Sequence, residues 1–132
     1  GTGLISGFLL AVFFIGLQGT KYIPVDPSFT YTAIIAAAIQ ASIAEELLIR
    51  GYLLSYLRKY ECNLIFSIMF QALIFAFLHY SLYLNNWIAL LIIFLNGATA
   101  GYLTWKNNNL VSAFALHIVF NLMAAGWWWA KV

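Results

Sequence analysis

Charge is what this sequence has least of. Only 8% of its 132 residues are Asp, Glu, Lys or Arg, against about 25% in a soluble globular domain. So few charges cannot cover a water-facing surface, which excludes an ordinary soluble fold. None falls within residues 1–20, 27–44, 62–105 or 107–130. Cys62 is the one cysteine, so an internal disulfide is excluded and the redox compartment stays open. The two prolines, Pro24 and Pro27, join Gly19 in marking a loop. There is no basic cluster of the kind that binds nucleic acid, no internal repeat and no domain linker. The opening stretch lacks a basic leader region and does not read as a signal peptide; the chain starts at Gly1 without a methionine, so the first helix is expected to be incomplete.

What the sequence does have is apolar length. A membrane span needs about 20 apolar residues, and the uncharged run 62–105 has 44 residues. As one helix that run would reach about 66 Å, so it reads as two spans with a turn between them. The expected fold is all-α: a multi-pass transmembrane bundle of about five helices, forming a single transmembrane domain over 1–132. The first helix runs from about Gly3 to Gln18. Asp26 as N-cap and Pro27 at the first helical position start a second that extends from 27 to about 58. A third covers about Asn63 to Tyr80, a fourth about Trp87 to Trp105, and a fifth, capped by Asn109, about Leu110 to Trp129. Trp87, Trp105 and Trp127–Trp129 sit at span ends, where amphipathic rings favour the headgroup level. The turns at 58–61 and 106–109 hold Arg58, Lys59 and Lys106, against Lys21 and Lys131 at the other ends, so the positive-inside rule turns the former face to the cytoplasm.

Ionisable residues at membrane depth cost several kcal/mol and usually face a bundle interior or a cavity. This chain has five, Glu45, Glu46, Arg50, His79 and His117, and Asn121 adds an amide. Glu46 and Arg50 are spaced i,i+4 and can pair along one helix face. Glu45 lies about 100° further round the helix and is left without that partner. His117 and Asn121 are also i,i+4, as are Phe75 and His79. Counted from the 58–63 and 106–109 turns at about 1.5 Å per residue, Glu45 stands roughly 20 Å up, His79 24 Å, His117 12 Å and Asn121 18 Å. Three helices can therefore aim a carboxylate, two imidazoles and an amide at one cavity, with Glu46 turned aside toward Arg50. The stripe Phe66, Phe70, Phe77 reads as lipid-facing or packing, and Tyr52 and Tyr56 as interfacial.

Glu45-Glu46-Leu47-Leu48-Ile49-Arg50 fits EExxxR, Phe75 to His79 fits FxxxH, and His117 to Asn121 fits HxxxN. In this order, each on its own apolar helix, the three motifs resemble the CAAX-protease and bacteriocin-processing (CPBP, or Abi) family of glutamate-dependent intramembrane proteases, with a family-like core at about 27–130. The resemblance implies an intramembrane endopeptidase. Glu45 and His79 would hold and activate water, His117 and Asn121 would donate to the oxyanion, and Glu46 with Arg50 would act as a support pair. That division agrees with peptide hydrolysis, which needs an activated water and oxyanion stabilisation, and a carboxylate drawn out of water is a better base. Expected partners are membrane lipid and a peptide or protein substrate.

Two other readings remain open at this point. One is a non-catalytic family member serving as a scaffold or accessory subunit of a larger membrane complex. The other is a metal-dependent enzyme with zinc at Glu45, His79 and His117, although the HExxH pattern of zinc proteases is absent; the resemblance itself implies no cofactor.

Overall fold

The computed structural model describes residues 2–18, 31–84 and 86–129. Every regular element among them is helical. Helix α1 is Thr2–Gln18. A long second rod follows, made of α2 (Tyr31–Glu46), a π-helical segment (Leu47–Leu54) and α3 (Ser55–Lys59) without a break. Helix α4 is Leu64–Leu78, followed by a 3-10 turn at Tyr80–Leu82. Helices α5 (Trp87–Asn107) and α6 (Val111–Trp129) complete five rods. The Asp26–Pro27 start and the Gly19–Pro27 loop lie outside the described residues.

Three asparagines start three of the rods. Asn63 Oδ1 accepts from the backbone N–H of Ile65 at 2.8 Å and of Phe66 at 3.4 Å. Asn86 Oδ1 accepts from Ala89 N–H at 3.1 Å, and Asn109 Oδ1 from Val111 N–H at 3.1 Å. Each satisfies donors that a helix leaves orphaned at its first turn. Helix α5 ends at Asn108, whose φ of 53° is left-handed, a conformation that Asn tolerates better than most residues.

The interior mixes apolar residues such as Ile92 and Leu116 with polar ones, and the outside is largely apolar. The buried polar side chains include Ser42, Glu46, Arg50, Ser67, Gln71, Asn96 and His117. The exposed ones include Ile65 at 71%, Phe77 at 73%, Leu73 at 58% and Trp87 at 68%. In α4 the polar Ser67 and Gln71 share an inward face with Ala72 and Phe75, and apolar residues face out. Such an outer surface suits hydrocarbon, and water would penalise it. The second rod and α5 are long and apolar enough to span a bilayer. The chain is a helical membrane bundle.

With no hydrophobic drive between helices in lipid, close packing and buried hydrogen bonds must hold the rods together, and small residues permit it. On α1, Gly3 and Gly7 lie against the backbone of Ser112 and Leu116 on α6, where a Cβ would collide with both carbonyl oxygens. On α5, Gly97 meets Ala72 and Phe75 of α4, and Gly101 meets the Gln71 amide. The Gln71 Nε2–H donates to Gly97 O at 2.9 Å. Helix α6 contacts α1, α2 and α5, and α5 contacts α1, α4 and the π segment. The site is held where these rods meet.

Candidate active site

The second rod carries an inward stripe at four-residue spacing: Ser42, Glu46 and Arg50, all buried. It runs antiparallel to α6, because Ser42 meets Asn121 and Glu46 meets His117. Arg50 Nη1 donates to Glu46 Oε1 at 2.9 Å, and Nη2 donates to Gly97 O at 3.2 Å. The Arg50 guanidinium also lies 4.3 Å over the Phe75 ring, a desolvated cation–π contact.

Glu46 does more than pair with Arg50. Its Oε1 also lies 2.8 Å from His117 Nδ1. Beside an ionised carboxylate, that nitrogen carries the ring proton and donates it. His117 is then left with its Nε2 pointing at Glu45, 3.7 Å from Oε2. His79 is fixed in the same sense from another helix. Its Nδ1 lies 2.8 Å from Phe75 O, and a carbonyl can only accept, so the proton sits on Nδ1. His79 Nε2 is 3.5 Å from the same Glu45 Oε2. Phe75 braces both rings, at 4.7 Å from His79 and edge-on at 5.5 Å from His117.

Glu45, His79 and His117 thus converge on one oxygen from three rods. Glu45 and His79 are part-exposed, with 32% and 19% of their side chains accessible, whereas His117 is buried at 3%. One edge of the cluster is therefore open and the other is anchored in the bundle. Asn121 is placed differently. Its Nδ2 donates to Ser42 Oγ at 3.1 Å, and Ser42 Oγ donates to Ala38 O at 2.8 Å. It stands one helical turn from His117 along α6, beside α2 and not on Glu45. An amide nitrogen has two N–H donors, so one remains for another acceptor.

The chemistry of the cluster follows from its proton inventory. With both Nδ1 protons committed, each neutral imidazole presents a lone pair at Nε2, and the Glu45 carboxylate presents another. The separations of 3.5 and 3.7 Å are longer than direct hydrogen bonds, and Glu45 Oε2 is buried with no hydrogen-bond partner. Three acceptors facing one another call for a donor or a cation between them, and a water molecule can serve two of them at once. Among the described residues, no group of three or more His, Cys, Asp or Glu side chains is arranged to hold a metal ion.

Three contributors fall outside the residues that the sequence singles out above. The π segment begins directly after Glu46; π turns interrupt α-helices often at functional sites, but no residue pattern in 47–54 announces this one. Ser42 extends the Glu46–Arg50 stripe by one more step of four, a signal that was there to read. Tyr83, in the turn after α4 and outside the spans, packs against the Ile49–Phe75–Ile93 cluster. Burial first, and then the charge of Glu45, pushes its phenol above the ordinary tyrosine value. It therefore stays a neutral phenol.

A helical membrane bundle that gathers a carboxylate and two oriented imidazoles at an accessible edge is a framework for hydrolytic chemistry within a membrane. The sequence comparison identifies the lineage: the chain belongs to the type II CAAX prenyl endopeptidase Rce1-like family, which it matches over residues 27–123. The match takes in Glu45, Glu46, Arg50, His79, His117 and Asn121, and the family is one of CAAX-type intramembrane proteases. No curated protein and no solved structure matches the chain.

Proposed function

We propose that the chain is a glutamate-dependent intramembrane endopeptidase that hydrolyses a peptide bond in a membrane-associated peptide or protein, with Glu45, His79, His117 and Asn121 as its catalytic residues. The observation that carries this reading is the convergence of His79 Nε2 and His117 Nε2 on Glu45 Oε2. A water held there donates one proton toward Glu45 and another toward His79. Glu45 takes a proton as the water oxygen attacks the scissile carbonyl carbon, giving a tetrahedral oxyanion. The second N–H of Asn121 donates to that oxyanion, and His117 donates from Nε2 once a proton taken up from bulk water has made the ring an imidazolium, its Nδ1 proton still held by Glu46. Collapse breaks the C–N bond, and Glu45 returns its proton to the leaving amine. Glu46 holds the His117 ring, and Arg50 holds Glu46. The mechanism routes no step through a metal.

The family's own description points to a prenylated CAAX peptide as the first substrate to try. The test uses purified protein in lipid vesicles with such a peptide and a panel of unprenylated membrane peptides, and cleavage is read by mass spectrometry. Glu45→Gln keeps the shape of the side chain but not its basicity. A positioned general base contributes about 10²–10⁴-fold, so turnover should fall by at least that range while unfolding is unchanged. Normal turnover by Glu45→Gln would remove Glu45 from the mechanism.

A further inference from the structure

A cavity of about 450 Å³ lies away from Glu45, at the polar-turn end of the bundle, between the second rod and the α5–α6 turn. Its size falls in the roughly 300–1,000 Å³ range of ligand sites. Arg50, Arg58 and Lys59 line it, and no acidic residue does. Glu46 balances Arg50. Among the described residues, Arg58 and Lys59 have no ion-pair partner; Glu61 follows in the same turn but is not part of the lining.

Arg58 is held in place. Its Nη1 donates to Asn108 Oδ1 at 2.8 Å, and its guanidinium lies 4.9 Å over the Trp105 ring. A pinned guanidinium keeps its remaining N–H groups in a fixed fork suited to phosphate. The Arg50 guanidinium is enclosed among Glu46, the Gly97 carbonyl and the Phe75 ring, so the basic groups open to the cavity are Arg58 and Lys59.

We infer that this cavity is a binding site for a phosphoryl group, carried either by the headgroup of an anionic lipid or by a free phosphate. Arg58 and Lys59 supply the charge, and the N–H groups that Arg58 does not use on Asn108 supply oriented donors. The inference goes beyond the peptidase reading and does not depend on it, because neither Arg58 nor Lys59 belongs to the proposed catalytic machinery.

The test is native mass spectrometry of the whole protein in neutral detergent, titrated with phosphatidylglycerol, with phosphatidylcholine or with inorganic phosphate. Wild type should retain phosphatidylglycerol and not phosphatidylcholine. A basic residue near an anionic surface is worth about fivefold in affinity, so Lys59→Gln should weaken binding about fivefold and Arg58→Gln with Lys59→Gln about 25-fold. Lys106→Gln, at the same end but outside the lining, should change little. If phosphate alone binds and displaces the lipid, the source is the free anion; if it does not, the source is the headgroup. The inference is overturned if Lys59→Gln binds as wild type does. It is overturned equally if Lys106→Gln weakens binding as much as Lys59→Gln, since binding would then reflect general surface charge. The single variant keeps the test decisive should the double variant fail to fold.

Discussion

Replacing Arg50 by alanine removes several interactions at once from a side chain that is 1% exposed. It breaks the 2.9 Å pair with Glu46 and the 3.2 Å bond to Gly97 O, and it strips the guanidinium from the Phe75 face. Glu46 is left as a buried carboxylate whose remaining partner is His117. Removing one member of a buried ion pair costs about 3–5 kcal/mol in soluble proteins, and the lost cation–π contact adds about 0.5–2 kcal/mol. These terms overlap, so a loss of about 4 kcal/mol is expected, a melting shift on the order of 10 °C for a domain of this size. The double variant Glu46→Gln, Arg50→Met should recover most of it, because both charges leave together and buried pairs exchanged for well-packed neutral groups are often neutral. The Gln carbonyl still accepts from His117 Nδ1. Thermal unfolding of purified protein in detergent, run as a double-mutant cycle, should give a coupling above about 2 kcal/mol. Wild-type stability in Arg50→Ala, with only catalysis reduced, would refute a structural role for the pair.

Further outcomes are expected elsewhere. Asn121→Ala should lose about 1 kcal/mol of stability with its bond to Ser42, yet reduce kcat by about 10²–10³ with little change in KM if its second N–H serves the oxyanion; steady-state kinetics on the vesicle-bound protein separates the two effects. Phe75→Leu should cost only about 1–2 kcal/mol but lower kcat more than that implies, because the Arg50, His79 and His117 contacts all use the ring; wild-type kcat would show that the ring only fills space. Gly97→Val places a Cβ 3.3 Å from Ala72 Cα and 3.2 Å from Phe75 Cδ1, and should destabilise by about 1–3 kcal/mol or more. Gly51→Ala meets nothing nearer than a Leu110 side-chain atom at 3.5 Å and should be tolerated; equal melting losses in the two variants would contradict the α4–α5 seam.

The spans were legible because the asparagines and the charged turns interrupt long apolar runs, and α4, α5 and α6 begin within one residue of where Asn63, Asn86 and Asn109 place them. The stripe of Glu46 and Arg50 was legible because both lie on one helix. Contacts that cross helices were not. Spacing along the second rod assigns Glu46 to Arg50 but says nothing of which α6 side chain faces it, so the Glu46–His117 bond stayed hidden. Depth counting separates His79 from His117 by about 12 Å, yet both approach Glu45 Oε2 within 3.7 Å. The count assumes upright helices starting at one level, whereas packing tilts and staggers them. The glycine seams are ordinary small residues in an apolar sequence until a neighbouring backbone is known.

Arg50 is a fixed point because of the backbone it reaches. Helix α5 adds no side chain to the catalytic proposal, but its Gly97 carbonyl accepts from both Arg50 and Gln71, and a Cβ at that position would press on Ala72 and Phe75 of α4. From Gly97 O, orientation passes to Arg50, from Arg50 to Glu46, from Glu46 to the Nδ1 proton of His117, and so to the lone pair that faces Glu45. His79 reaches the same point by a shorter route, through the carbonyl of Phe75, which itself packs against Gly97. Both imidazoles are thus referred to one stretch of the α4–α5 seam, His117 through two intermediates, Arg50 and Glu46, and His79 through one, Phe75. An error at the seam moves both rings. An error at Glu46 moves only His117. Variants at Gly97 should therefore disturb the His79 and His117 geometries together, whereas Glu46→Gln with Arg50→Met should leave His79 on Phe75 O.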